Sequence, residues 1–186
     1  VGTPEEADVI LINTCAVREK AEERVIGRAA QLSGLRAHKP DLTIGILGCM
    51  AQHLAASLPK RAPFIDLVMG PDSYQRLPVI LAQTSNEALL DVRLSRVENY
   101  VGIDGARKSG TNAWVTIIRG CDKFCTFCIV PYVRGRERSL DPSEVLRQVT
   151  QIASEGFKEV TLLGQTVNSY RFLQTDFADL LRAVAA

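Results

Sequence analysis

Short apolar runs alternating with segments of helical period set the tightest limit on what this chain can fold into. Val9-Ile10-Leu11-Ile12, Ile44-Gly45-Ile46-Leu47 and Ile65-Asp66-Leu67-Val68-Met69 are strand-length runs, and the near-continuous apolarity of the first two suits strands covered on both faces. Between the first two, Val17, Ala21, Val25, Ala29 and Leu32 recur at helical spacing among charged residues, and the pattern fades before Pro40. A helix is expected from Cys49 through Leu58, and another over residues 74–83. Strand and helix in alternation predict a parallel sheet covered by helices, with ligand sites at the carboxyl ends of its strands. Cys15 and Cys49 each fall at such an end. There they are either buried small hydrophobes or thiolates favoured by the start of the following helix, a position that suits an anionic cluster.

The second half repeats the pattern. Trp114-Val115-Thr116-Ile117-Ile118 reads as a strand, with Trp114 and the spaced apolar residues assigned to the core. Asp141, Pro142 and Glu144 carry a helix-start signature with capping-box spacing, Val145, Val149 and Ile152 form the inner stripe, and Gly156 terminates it. Val160-Thr161-Leu162-Leu163 is the next strand, and Asp176 caps a last helix with Phe177, Leu180, Leu181 and Val184. Two strand-helix repeats look like the opening of a β/α barrel. Residues 1–84 are expected to form one domain and 113–186 the start of another. The connector, 85–112, contains the Arg107-Lys108-Ser109-Gly110 turn signal and a short strand or hairpin around residues 89–92 and 100–101.

Between the Trp114 strand and the Asp141 helix lie three thiols in the order Cys-x-x-x-Cys-x-x-Cys, at Cys121, Cys125 and Cys128. Soft ligands this close suit zinc or an iron-sulfur cluster. Structural zinc takes four ligands, and no fourth Cys or His is near, since the remaining candidates are Cys15, Cys49, His38 and His53. The two histidines are read as surface or structural residues. A cubane held by three thiolates keeps one iron open for substrate or cofactor, whereas a zinc site completed elsewhere would make this an RNA-binding module without chemistry.

The loop, with Phe127 before its last cysteine, resembles the signature of radical S-adenosylmethionine (SAM) enzymes. The longer string from Gly120 through Pro131-Tyr132-Val133-Arg134-Gly135-Arg136-Glu137-Arg138-Ser139 is similar to the radical SAM methylthiotransferase family, most closely its MiaB-type tRNA enzymes. So are residues 7–15, Gly48-Cys49-Met50-Ala51-Gln52 and Leu163-Gly164-Gln165-Thr166-Val167-Asn168-Ser169-Tyr170. The resemblance implies a flavodoxin-like amino-terminal α/β domain followed by the start of a radical SAM partial β/α barrel. It implies SAM and two 4Fe-4S clusters per full-length chain. Cys121, Cys125 and Cys128 would hold the cluster that binds SAM. Cys15 and Cys49 match two of three ligands of the second, the third being expected upstream of Val1. No catalytic residue is assigned beyond the cluster ligands.

The activity implied is addition of a methylthio group to carbon 2 of N6-isopentenyladenosine beside the tRNA anticodon. Relatives within the class act instead on threonylcarbamoyl-adenosine of tRNA or on a ribosomal-protein aspartate. Gly164, Gln165 and Asn168 are candidates for SAM or substrate contact. Arg134, Arg136 and Arg138, with Arg119 and Lys123 nearby, are candidates for tRNA phosphates or the SAM carboxylate, against a bland reading as salt-bridged turn residues. A flavodoxin or ferredoxin would supply electrons.

Bulk properties place these sites in a globular protein. The chain has 186 residues, 46% of them hydrophobic, and a net charge of +1, so contact with nucleic acid needs a local patch. Apolar runs fall short of the ~18 residues of a membrane span, and five cysteines with three in one loop do not read as a disulfide framework. A cytoplasmic protein is expected. The opening without methionine and the close within a helix read as a fragment, expected to be inactive alone.

Overall fold

The computed structural model describes residues 1–16, 19–83, 87–103, 105, 107 and 110–186. Val17 of the expected helical stripe, Ser85 of the connector, and Lys108 and Ser109 of the turn signal lie outside the described residues. The chain divides into two compact units, Val1–Leu94 and Ser95–Ala186. No helix among the described residues is long and apolar enough to cross a membrane.

The first unit is built on a parallel sheet of β1 (Val9–Thr14), β2 (Thr43–Gly48), β3 (Leu67–Met69) and β4 (Leu89–Asp91), in that spatial order. The connections carry α1 (Glu19–Ser33), α2 (Cys49–Leu54), α3 (Leu58–Arg61) and α4 (Leu77–Leu81). Inside the sheet, β2 buries both faces, as its unbroken apolar run predicts. Ile44 and Ile46 pack with Ala29 and Leu32 of α1 and Met50 of α2, while Leu47 joins Leu67, Met69 and Ile80. Among the described residues β1 pairs with β2 alone, so it is half-buried where its sequence predicts a covered strand, and Val9 is exposed.

Prolines divide two expected helices. The one read through Leu58 ends at Leu54, passes through a 3-10 turn at Ala55–Ser57, and restarts as α3 with Pro59 in its first turn. Proline inside a continuous helix would lack the i−4 hydrogen bond and clash with the preceding turn. Likewise residues 74–83 divide into a 3-10 segment, Pro71–Arg76, and α4, which Pro78 opens. Of the short strand or hairpin expected around residues 89–92 and 100–101, the strand forms and the hairpin does not. Leu89, Leu90 and Asp91 pair parallel with Leu67, Val68 and Met69, and Tyr100 closes a turn by accepting from Ile103 N at 3.0 Å.

In the second unit β5 (Asn112–Thr116) lies parallel to β8 (Glu159–Leu163), with α6 (Pro142–Ser154) in the crossover. β6 (Ile118–Arg119) pairs antiparallel with β7 (Arg138–Ser139), and α5 (Val130–Arg134) lies between them in sequence. A hairpin of β9 (Arg171–Phe172) and β10 (Thr175–Asp176) leads into α7 (Phe177–Ala185). Ala113, Val115 and Ile117 pack with Val145 and Ile152 of α6 and Leu180 of α7. Trp114 is not core: it is 63% exposed. Strand alternation turns it to the face opposite Ala113 and Val115. The α6 cap is simpler than expected. Asp141 accepts from Ser143 N at 2.8 Å, but the Glu144 carboxylate turns to Arg147 and Gln148. The reciprocal cap forms instead at α7, between Asp176 and Asp179.

Buried Tyr170 donates its hydroxyl to Leu140 O at 2.7 Å, tying the segment after β8 to the start of α6. Burial, helped by the charge of Asp141, pushes the phenol up to about 12. Folding therefore favours the neutral phenol, and that contribution is whole below the ordinary value of about 10 and lost as pH rises through about 12. Tyr170→Phe is expected to cost about 1 kcal/mol in urea unfolding at pH 7. It should also lose less stability than wild type between pH 10 and 12.

Candidate functional site

The loop of three thiols is held at its base rather than along its length. Ile117 N donates to Leu163 O at 2.9 Å, so the strand before the loop stays registered with β8. Gly120 then turns the chain at φ +76, in the left-handed region that glycine enters without cost, and its missing Cβ leaves room for the Arg136 carbonyl. Cys121 N donates to Gly135 O at 3.1 Å, and one step out Glu137 N donates to Asp122 Oδ1 at 3.1 Å. Arg136 Nε reaches the same carboxylate at 2.7 Å. The Arg-Gly-Arg-Glu-Arg string is thus the return strand that closes the loop.

Within the loop Cys125 is exposed, Cys121 and Cys128 are half-buried, and none is in a disulfide. Cys128 N donates to Cys125 O at 2.9 Å. Phe127 is 91% exposed between them. No group of three or more His, Cys, Asp or Glu among the described residues is drawn together to hold a metal ion, so the thiols share one loop without converging. Their chemistry still fits an iron-sulfur cluster: three soft donors on one short segment and open to solvent, on a base fixed by backbone hydrogen bonds.

Parallel pairing of β5 with β8 brings the segment after β8 beside the loop. Thr166 Oγ1 lies 3.8 Å from Cys121 Sγ. Sequence reasoning did not single out Thr166, although it stands between two residues that it did. Gln165 Oε1 is buried without a hydrogen-bond partner among the described residues, an acceptor left for a donor. Asn168 is exposed in the 3-10 turn Val167–Ser169. Gly164 has a packing role, because a Cβ there would overlap Ile118 Cγ2 and lie 3.0 Å from Ile118 O.

The arginines divide by burial. Arg119 and Arg138 face each other across β6 and β7 and are 5% and 6% exposed. Arg119 stacks 3.4 Å from the Tyr100 ring centroid and donates to Glu98 O at 3.3 Å. Arg138 donates to Ser95 O, and to Arg134 O at 2.9 Å. Arg138 therefore faces carbonyls rather than solvent. Arg134 is half-buried, while Arg136, with its side chain 64% exposed, and Lys123 reach water.

In the first unit the last β1–β2 pair is Thr14 with Gly48, so Cys15 and Cys49 leave adjacent strands at the same, carboxyl end of the sheet. Thr14 Oγ1 donates to Leu47 O at 2.6 Å, and Tyr74 OH donates to Asn13 Oδ1 at 3.0 Å, bracing that end. Cys15 is exposed and Cys49 buried, the latter opening the six-residue α2. His38 and His53 are exposed, consistent with surface residues.

Comparison with known proteins follows the same division. Residues 115–185 match the model of the Radical SAM superfamily, and residues 1–70 that of Uncharacterized protein family UPF0004. The second unit, with its thiol loop at the end of the first strand of a β/α repeat, is that of a radical SAM protein. The chain is 45% identical, over 98% of its length, to the tRNA-2-methylthio-N(6)-dimethylallyladenosine synthase of Ectopseudomonas mendocina (strain ymp), of which the match covers 42%. It is 47% identical over 91% of its length to the synthase of that name from Amoebophilus asiaticus (strain 5a2), covering 36%. For Colwellia psychrerythraea (strain 34H) the identity is 45% over 100% of the chain and 40% of the relative. The chain belongs to the radical SAM methylthiotransferase family. It spans about two fifths of the length of the curated relatives it matches.

Proposed function

We propose that the protein is a tRNA methylthiotransferase that adds a methylthio group to carbon 2 of N6-isopentenyladenosine next to the anticodon. The observation that carries this reading is identity of 43–47%, through both units, to relatives whose shared name states that product. Cys121, Cys125 and Cys128, as thiolates, would hold a 4Fe-4S cluster that binds SAM, and Cys15 and Cys49 would supply two of the ligands of a second cluster. With SAM bound, the first cluster would supply radical chemistry able to take hydrogen from an unactivated carbon, chemistry that belongs to the cofactor. The chain's own residues place it. The base of the loop fixes where the thiolates start. Gln165 Oε1 can accept an N–H from SAM or substrate, with Gly164 and Asn168 on the same segment. Thr166 is a candidate donor to the Cys121 sulfur. A flavodoxin or ferredoxin supplies the electron, and the reaction runs in the cytoplasm.

The test is nucleoside mass spectrometry of tRNA incubated anaerobically with the reconstituted full-length protein, SAM and reductant. The expected product is a methylthio group on isopentenylated tRNA and none on tRNA lacking the isopentenyl group. Product only on threonylcarbamoyl-adenosine, or only on a ribosomal protein, would overturn the substrate. Stoichiometric zinc in a colourless protein without SAM cleavage would overturn the chemistry.

A further inference from the structure

The sequence alone groups three neighbouring arginines as nucleic-acid candidates, but the structure redistributes them and adds a fourth from another segment. Arg96, Arg136, Glu137 and Arg138 line one cleft of about 450 Å³. Arg96 lies 40 positions before Arg136, in a stretch otherwise read as connector. Its placement is built. Ser95 O is held by buried Arg138, and Ser95 Oγ accepts from Val97 N at 3.1 Å and Glu98 N at 3.0 Å. This turn presents Arg96 to solvent, where it makes no hydrogen bond or ion pair among the described residues.

The charge of the cleft favours an anion. Three guanidinium groups face one carboxylate, Glu137, whose Oε1 accepts from Asp122 N at 3.4 Å. Asp122 meets Arg136 Nε at 2.7 Å, while Arg96 brings to the cleft a guanidinium that no carboxylate among the described residues engages. Buried Arg138 donates to Ser95 O and Arg134 O, and so holds the turn that carries Arg96. Arg136 and Arg96 reach solvent with the planar fork suited to phosphate. Beside them Phe124, 43% exposed, has the Arg136 guanidinium 5.3 Å from its ring centroid and Tyr132 edge-on at 6.0 Å. A basic cleft flanked by exposed aromatic rings is the composition that holds unpaired nucleotides, phosphate in the cleft and base against a ring.

We propose that Arg96 and Arg136 bind a backbone phosphate of the RNA substrate, with Arg138 holding the turn that presents Arg96. The inference rests on the tRNA reading above and adds to it the point of contact. Arg96→Gln is the clean variant, since it breaks no contact, whereas Arg136→Gln also releases Asp122.

The experiment is fluorescence anisotropy of a labelled anticodon stem-loop carrying N6-isopentenyladenosine, with the full-length protein at several salt concentrations. Arg182→Gln, an equal change of charge on α7, is the control. Arg96→Gln is expected to weaken binding roughly 3- to 10-fold and to make the slope of log K against log salt shallower by about 0.7–0.9, the loss of one phosphate. Arg96→Glu should weaken it further, and Arg182→Gln should change neither quantity. Tight binding by wild type with Arg96→Gln unchanged in affinity and slope would overturn the cleft and leave the tRNA reading standing. No binding by wild type would overturn both.

Discussion

Alanine at Cys125 is expected to remove the iron of the second unit and with it all SAM cleavage. Cys125 is the exposed one of the three thiols and the middle cysteine of the spacing. With two thiolates left, a cubane has two irons without protein ligands and is lost to solvent. Anaerobic iron and sulfide analysis of the reconstituted protein should show about four fewer irons per chain than wild type, with the matching loss of visible absorbance. Far-ultraviolet circular dichroism and urea unfolding of the two proteins before reconstitution should agree, because the Cys125 side chain lies outside the core. Iron held at the wild-type level would sink the assignment of these ligands. Iron remaining in the variant at a lower level, and then lost on Cys49→Ala, would place a second cluster at the end of the first unit's sheet.

The largest structural effect is expected at Gly120. Any L-residue there meets two penalties. The backbone sits at φ +76, which costs a side chain of order 1–3 kcal/mol. A Cβ would also overlap the Arg136 carbonyl oxygen and approach Gly135 O to 2.6 Å, forcing apart the strands that close the loop. Overpacking of this kind adds roughly 1–3 kcal/mol. Gly120→Ala should therefore lose about 3 kcal/mol or more, a large part of the usual stability of a domain. Gly156→Ala separates the two causes, since Gly156 has φ +90 but nothing within 4 Å of its Cβ position, and it should lose only about 1 kcal/mol. Equal losses in the two variants, measured by urea unfolding, would show that the close approach to Arg136 carries no weight.

Periodicity was informative where packing follows the chain's own pattern. The runs of β2 and β8 and the stripe of α6 lie where apolar spacing puts them. It was least informative where a neighbour decides. The sequence marks a short strand around residues 89–92, but only the parallel pairing of β4 with β3 makes it the last strand of the first unit's sheet. The two-residue β6 and β7 have no period at all. Trp114 departs from its core assignment because alternation with Ala113 and Val115 puts it on the other face. The cysteine spacing was plain in the sequence. The duties of the arginines were not, because burial by β6, β7 and the turn at Ser95 brings residues some 40 positions apart into contact.

The short ladder that closes the thiol loop also bears on the order in which the protein is made. Its bonds join residues close along the chain, Asp122 with Glu137 being 15 apart, so closure carries a small entropy cost and needs no distant partner. During synthesis the three thiols are bracketed once Ser139 is available, before β8 exists to pair with β5. The loop is then a locally closed segment whose thiols are in place before the β5–β8 pair forms. The Gln165–Thr166 segment reaches the site only afterwards, when β8 has paired.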